Sequence, residues 1–168
     1  GIECILKTQY IQNGELSVWC AQHDEKTFQP AKARAYELPS LSGSESAGIV
    51  LFLMNIENPS PEVIKSVNAA VRWFKKNKIT GLKVERYTDS NGQREKRVVN
   101  DENADPIWAR FSELSDNRPF FCDRDGIKKY SLAEIGHERR TGYGWYSESP
   151  EVVLKKYPEW QLKIGAKK

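Results

Sequence analysis

No apolar run in this 168-residue chain is long enough to make a membrane-crossing helix. Neither sign of charge dominates. The 26 basic and 23 acidic residues leave a net charge of +3, too balanced to mark a nucleic-acid binder by composition. Such a modest excess still suits a polyanionic partner. Cysteine is scarce: Cys4, Cys20 and Cys122 show neither the paired spacing of a zinc site nor that of a redox motif. One disulfide plus a free thiol, and three chemically quiet buried thiols, are both open to them. There are no internal repeats and no low-complexity tracts. The acidic stretch Asp101, Glu102 and Asp105 lacks the EF-hand spacing of a calcium loop. Signal-peptide features are missing too, since Gly1 to Leu6 already reads as helix interior; a mature product, or a chain cut from something longer, is the expectation. What remains is ordinary globular composition, 39% apolar and 11% aromatic, which argues against disorder, at the length of one domain.

The hydrophobic periods place the elements. Ile2, Ile5, Leu6 and Tyr10 recur at helical spacing. Asn13-Gly14 predicts a tight turn, after which Leu16, Val18 and Cys20 alternate as a strand, with Trp19 turned to the other side. Residues 43–56 are the most apolar segment and are expected at the centre of the core. Ser60 and Pro61 read as an N-cap and first helical residue. From there Val63, Ile64, Val67, Ala70, Val71 and Phe74 keep the helical period, and Lys75 and Lys76 suit the negative end of the dipole. From Gly81 the period changes to two, and the polar loop Thr88 to Gly92 predicts a hairpin over 81–99, to which no chemistry is assigned. Ser131 to Glu134 fits a capping box that starts a helix running to Arg140. Ser149-Pro150 opens a last helix that Pro158 is expected to end, leaving Trp160, Leu162 and Ile164 alternating before a basic tail. The expected class is mainly α, with irregular loops and one β-hairpin.

The stretch Ala33-Arg34-Ala35-Tyr36-Glu37-Leu38-Pro39 leads into Ser42 and Glu45, an S-x-x-E capping box. Pro39 keeps Leu38 extended. Arg34 and Tyr36 are therefore placed on an irregular segment fixed by the next helix, where chemistry is often carried. The plainer reading is that Arg34 pairs with Glu37 and pins the loop. Trp19 is either core or a wall beneath a sugar ring, and His23 reads as a structural hydrogen-bonding group. The conspicuous residues are Arg34, Arg110, Arg124, Arg139 and Arg140, where a glycosidase would show a pair of carboxylates. Guanidinium forks match carboxylates, which favours an anionic substrate. Arg110 and Arg124 can equally pair with Glu113 and Asp125.

Val18 to Asp24, Ala33 to Glu37 and Ser40 to Ser46, followed by Trp108 to Phe111, Asn117 to Pro119, Arg124 to Gly126 and Glu138 to Tyr146, resemble the family 10 polysaccharide lyases. These are pectate lyases built on a helical toroid. The resemblance covers nearly the whole chain in the right order. It implies a partial (α/α) toroid or barrel, with residues 1–168 as the C-terminal portion of one catalytic domain. It also implies calcium-dependent β-elimination on polygalacturonate, and a secreted or periplasmic location. Arg34 then stands at the place of the base that removes the C5 proton. Arg110 and Arg124 stand at the places of arginines that clasp substrate carboxylates, and Tyr36 and Trp19 join them as expected substrate contacts. The calcium ligands would lie in an upstream portion that this chain lacks, which leaves the metal residues unknown and makes that missing half a partner. An arginine base is demanding, because guanidinium stays protonated up to about pH 12. Two other readings follow from the residues: a non-catalytic binder of acidic polysaccharide, and a helical-barrel glycoside hydrolase using Glu37 or Asp24.

Overall fold

Three helices carry the main core. The computed structural model describes residues 1–166, so the end of the basic tail lies outside the described residues. Its helices are α1 (Ile2–Thr8), α2 (Gly43–Met54), α3 (Pro61–Lys76), α4 (His137–Gly142) and α5 (Ser149–Gly165). The Ser60 hydroxyl accepts a bond from the Val63 amide at 3.3 Å, and α3 follows from Pro61 as its periodicity predicts. α2 is apolar over most of its surface and packs against both α3 and α5. Val50, Leu53, Val67, Ala70, Phe74 and Val153 meet there, all buried. Each larger one contributes roughly 1.5–3 kcal/mol when removed from water.

The first residue of α2 is held to glycine by contact. A Cβ on Gly43 would lie 3.0 Å from the Ala109 carbonyl oxygen and 3.1 Å from the Trp108 Cβ. Gly43→Ala is therefore expected to lower stability by about 1–3 kcal/mol through overpacking, read as a lower urea midpoint at unchanged slope.

Two helix ends differ from expectation. α5 runs through Pro158. A proline inside a helix removes one backbone bond and costs about 3 kcal/mol. Burial of Val153, Tyr157 and Trp160 outweighs this; Tyr157 stacks on Trp160 at 5.9 Å, and its hydroxyl donates to Asn68 at 2.7 Å. Tyr157, Trp160 and Ile164 share one helical face, so the alternation read after Pro158 was a misread period. The second difference lies before α4. Ser131 caps only a short 3₁₀ turn, Leu132–Glu134. The chain then extends through Gly136, whose amide donates to both Asp123 carboxylate oxygens, at 2.8 and 3.0 Å. That tie keeps the segment from running on as a single helix.

The strands form four antiparallel two-stranded ladders among the described residues, against the single hairpin expected. β1 (Ile11–Gln12) pairs β2 (Glu15–Leu16), β3 (Leu82–Thr88) pairs β4 (Arg94–Asn100), β5 (Trp108–Ala109) pairs β8 (Tyr146–Ser147), and β6 (Phe121–Cys122) pairs β7 (Lys128–Lys129). Only β3–β4 is long enough to leave a period-two signal. Asn13 and Gly14 both take positive φ, 52° and 83°, as the tight turn requires. The strand after it stops at Leu16. Val18, Trp19 and Cys20 are all buried, so both sides of that segment are covered and alternation loses its meaning. The class is helical with few short strands, and the described helices do not close into a barrel. All three cysteines are free thiols, Cys4 exposed and the other two buried. No described helix is long and apolar enough to cross a membrane.

A second cluster forms without regular structure beneath it. Tyr36, Phe111, Phe120, Phe121, Tyr143 and Trp145 come together from separate loops and two-residue strands. It is mostly aromatic where the first cluster is mostly aliphatic, and it is the floor on which the arginines stand.

Candidate functional site

Arg34 begins a tight turn in which the Glu37 amide donates to the Arg34 carbonyl at 3.0 Å. The Arg34 amide donates to Glu37 Oε2 at 3.2 Å. Its side chain is 67% exposed and comes 3.8 Å from Glu37 Oε1, so the plain pairing is present. Arg34 Nη1 also donates to the Tyr36 hydroxyl at 3.1 Å. That bond first, and then the charges of Tyr36 and Glu37, raise the Arg34 pKa above its ordinary value. Glu37 is fixed from the other side by the Tyr143 hydroxyl, which donates to it at 2.7 Å. Burial, then the bond to Glu37, pushes the Tyr143 phenol far up; it is a neutral donor.

Tyr36 itself is buried. It meets Tyr143 edge-on at 5.1 Å, and the Arg139 guanidinium lies 4.6 Å from its ring centre. The Arg110 guanidinium lies 4.7 Å from the Tyr143 ring centre. Each contact sets a cation on an aromatic face. Arg110 is placed by the strand β5 that ends just before it. The Trp108 indole donates to the Phe74 carbonyl at 2.9 Å, and the Arg110 amide donates to Trp145 at 2.8 Å.

The carboxylate partners are not the local ones. Arg110 pairs with Glu45 on α2, while Glu113 is taken by Lys128 at 2.5 Å and Tyr130 at 2.9 Å. Arg124 grips Glu138 with two bonds, at 3.1 and 2.8 Å, while Asp125 accepts from the Ile127 amide. Arg139 shares the same Glu138, at 2.8 Å. The hydrogen bond from Arg124 leads the causes that hold the Glu138 carboxyl at about 2 against an ordinary 4.5. Its contribution is therefore full above pH 4.5 and is lost as pH falls through about 2. The Arg124–Glu138 pair is open to water on both sides, and such surface pairs are weak; another carboxylate can exchange into the Arg124 fork. Ser42 stands at the N-cap position, but its hydroxyl donates to Glu45 and receives no helix amide. The expected capping box does not form: the Ser42 amide that Glu45 would accept from donates to the Trp19 carbonyl at 2.8 Å, and Glu45 also holds Arg110.

The structure therefore joins Arg34, Tyr36, Arg110 and Arg124 into one constellation, with Arg139 and Tyr143 as the links that sequence reasoning missed. Arg139 was conspicuous as an arginine, but the ring it lies on is a hundred positions away in the chain. Trp19 does not belong to the site. It is 1% exposed, within the helical core, its indole donating to the Ile5 carbonyl at 2.7 Å; it offers no wall to a ligand. Arg140 points elsewhere, to Glu95 with bonds of 2.9 and 2.8 Å. His23 accepts from the Cys20 amide at 3.2 Å and donates from Nδ1 to Phe28 at 3.1 Å, and burial lowers its pKa; both nitrogens are structural. Asp24 is spent on its own turn, accepting from Thr27 and Lys26.

Among the described residues no three histidine, cysteine, aspartate or glutamate side chains converge on a point that could hold a metal ion. Asp101 accepts from the Asn103 amide within its own loop. The residues present do not fit a calcium site.

A family model described as pectic acid lyase matches residues 1–154. A family 10 polysaccharide lyase from Cellvibrio cellulosa is 40% identical and superposes with a TM-score of 0.83, covering 96% of this chain and 49% of that one. An aspartate-to-alanine mutant of a family 10 polysaccharide lyase from the same organism, in complex with trigalacturonic acid, is 41% identical with a TM-score of 0.82, covering 95% and 48%. No curated protein matches. The chain spans about half the length of these solved relatives.

Proposed function

The chain belongs to the pectic acid lyases of polysaccharide lyase family 10, and on that premise we propose that residues 1–168 act in β-elimination on polygalacturonate as the C-terminal portion of one catalytic domain. The observation that carries the reading is the convergence of Arg34, Arg110, Arg124 and Arg139, from four separate segments, around the Tyr36–Tyr143 pair. The relative's complex with trigalacturonic acid supports an oligogalacturonate ligand. A secreted or periplasmic location is proposed on the same footing.

Elimination breaks the C5–H bond beside a sugar carboxylate. The freed pair forms the C4–C5 double bond, and the glycosidic oxygen leaves from C4. Two negative charges build up on the enediolate, so cations fixed beforehand near that carboxylate lower the barrier. In the proposed arrangement Arg110 and Arg124 bind carboxylates and Arg34 takes the C5 proton. Tyr36 acts through Arg34, whose Nη1 it holds, since its own ring is buried beneath Arg139. With no substrate bound, Arg34 is kept protonated by Tyr36 and Glu37. Alkaline pH enlarges the neutral fraction. The calcium that the family resemblance implies has no seat among the described residues; a calcium requirement of the complete domain rests on carboxylates outside them.

The held-charged Arg34 favours a second reading, a binder of acidic polysaccharide without catalysis. No observation favours hydrolysis. Unsaturated product absorbing in the ultraviolet, formed from polygalacturonate by the chain joined to an upstream portion, decides for the lyase. Saturable binding without product decides for the binder. In either case Arg110→Lys and Arg124→Lys, which keep charge and lose the fork, are each expected to weaken polygalacturonate binding by roughly tenfold, the scale of one charge-assisted bond. Titration calorimetry of the 168-residue chain measures this. Parental affinity in both variants would make these arginines structural.

A further inference from the structure

A groove of about 700 Å³ lies between the β3–β4 hairpin and the segment Tyr143 to Glu148. It abuts the arginine site without being part of it. Gly144 lines the groove, and a Cβ built on Gly144 would stand 4.0 Å from Arg110 Nη1. Tyr143 faces Glu37 with its hydroxyl, and its carbonyl receives a bond from Lys96 Nζ at 3.0 Å on the groove side.

The hairpin wall carries an unusual pairing. Arg86 and Lys96 are directly opposite each other in the β3–β4 register, and both line the groove. Like charges at opposed positions repel and destabilise a ladder. Neither forms a salt bridge among the described residues, and the nearby carboxylates of the hairpin and its flank have other partners. Glu85 pairs with Arg97, Glu95 with Arg140 and His137, and Asp101 lies near Lys83. Burial first, and then the Arg86 charge, lower the Lys96 pKa, as expected of a cation facing a cation. The groove does have acids, Asp101, Asp105 and Glu148. Asp101 adjoins the Leu82–Asn100 end of the hairpin, four residues from Arg86, or about 13 Å along a strand. The two cations thus face each other on the hairpin wall, with the Tyr143 carbonyl as an acceptor for Lys96.

We propose that this groove is an outer subsite of the same polyanion, taking the carboxylate of a further galacturonosyl residue between Arg86 and Lys96. The proposal rests on the polygalacturonate reading above. A polymer bound at Arg110 needs a path for its neighbouring residues, and the groove begins one residue from the ring on which Arg110 lies. An anion there turns a repelling pair into a bridged one, and ring faces can pack on the apolar lining of Leu82, Val84 and Ile107.

The test is a length series. Binding of trigalacturonate, longer oligogalacturonates and polygalacturonate is titrated against the parent chain, Arg86→Gln, Lys96→Gln and the double variant. Far-ultraviolet circular dichroism checks the fold of each. The double variant is expected to bind the trimer as the parent does and to lose roughly tenfold of the affinity gained on lengthening. Lys96→Arg, which keeps the charge, is expected to retain that gain. An undiminished gain in the double variant overturns the subsite. So does a parent that binds the trimer but gains nothing with length, and in that case the lyase reading stands. A parent that binds no oligogalacturonate at all overturns both.

Discussion

Arg34→Ala in a complete enzyme is expected to lower turnover by about 10²–10⁴-fold, the usual contribution of a positioned proton transfer, while substrate binding changes far less. The expectation follows from placement. Arg34 is largely exposed, so truncating it leaves both hydrophobic clusters intact. Arg110 and Arg124 hold their own carboxylate partners without it, so the clasp persists. The side chain's contacts are to Tyr36 and Glu37, and both Glu37 oxygens are already held, by the Tyr143 hydroxyl and the Arg34 amide. Initial rates of ultraviolet product formation, set beside calorimetric affinity for the same substrate, separate the two effects. A loss of less than tenfold in turnover, or a parallel loss in affinity, would assign Arg34 to binding instead.

Trp19→Ala should give the largest change in stability, about 3–5 kcal/mol, as for other large-to-small substitutions in a packed core. The indole sits among α1, α2 and α3 side chains at 1% exposure. It also donates to the Ile5 carbonyl of α1, which keeps the Thr8 hydroxyl as a second donor, so the cost of truncation is chiefly the cavity. Urea unfolding of the 168-residue chain is the measurement. Affinity for polygalacturonate, taken where the variant is still folded, is expected to match the parent. Unchanged stability with lost affinity would return Trp19 to a ligand surface.

These two residues show what the sequence could and could not convey. The motif around Arg34 carried enough signal to mark its turn, its Glu37 contact and its place before a helix, because all of those are local. Trp19 was ambiguous because alternation assigns a side but not what covers that side; the segment is covered on both. α2 and α3 were readable from period, cap and proline, which act over a few residues. α5 was cut short at Pro158 because local backbone cost was weighed without the distant packing of Tyr157 and Trp160. The two-residue ladders were invisible, since a strand that short has no period. Within the site, arginine identity was legible and partner identity was not. The natural guess was a carboxylate a few positions away, whereas Arg110 reaches 65 positions back to Glu45 and Tyr143 reaches 106 back to Glu37. Contacts of that span are set by how loops fold over an aromatic cluster.

Arg139 and Arg140 are neighbours on a six-residue helix, yet one lies over the Tyr36 ring and the other is locked to Glu95 on the hairpin. A single peptide unit thus joins the hairpin to the arginine site, beside the bond from Lys96 to the Tyr143 carbonyl. α4 is short and is anchored at Gly136 by Asp123. The contacts run from the hairpin through Arg140 to Arg139, and from there to the Glu138 that Arg124 also holds. The hairpin that lines the groove and the cations around Arg34 thus share one short helix as a common support.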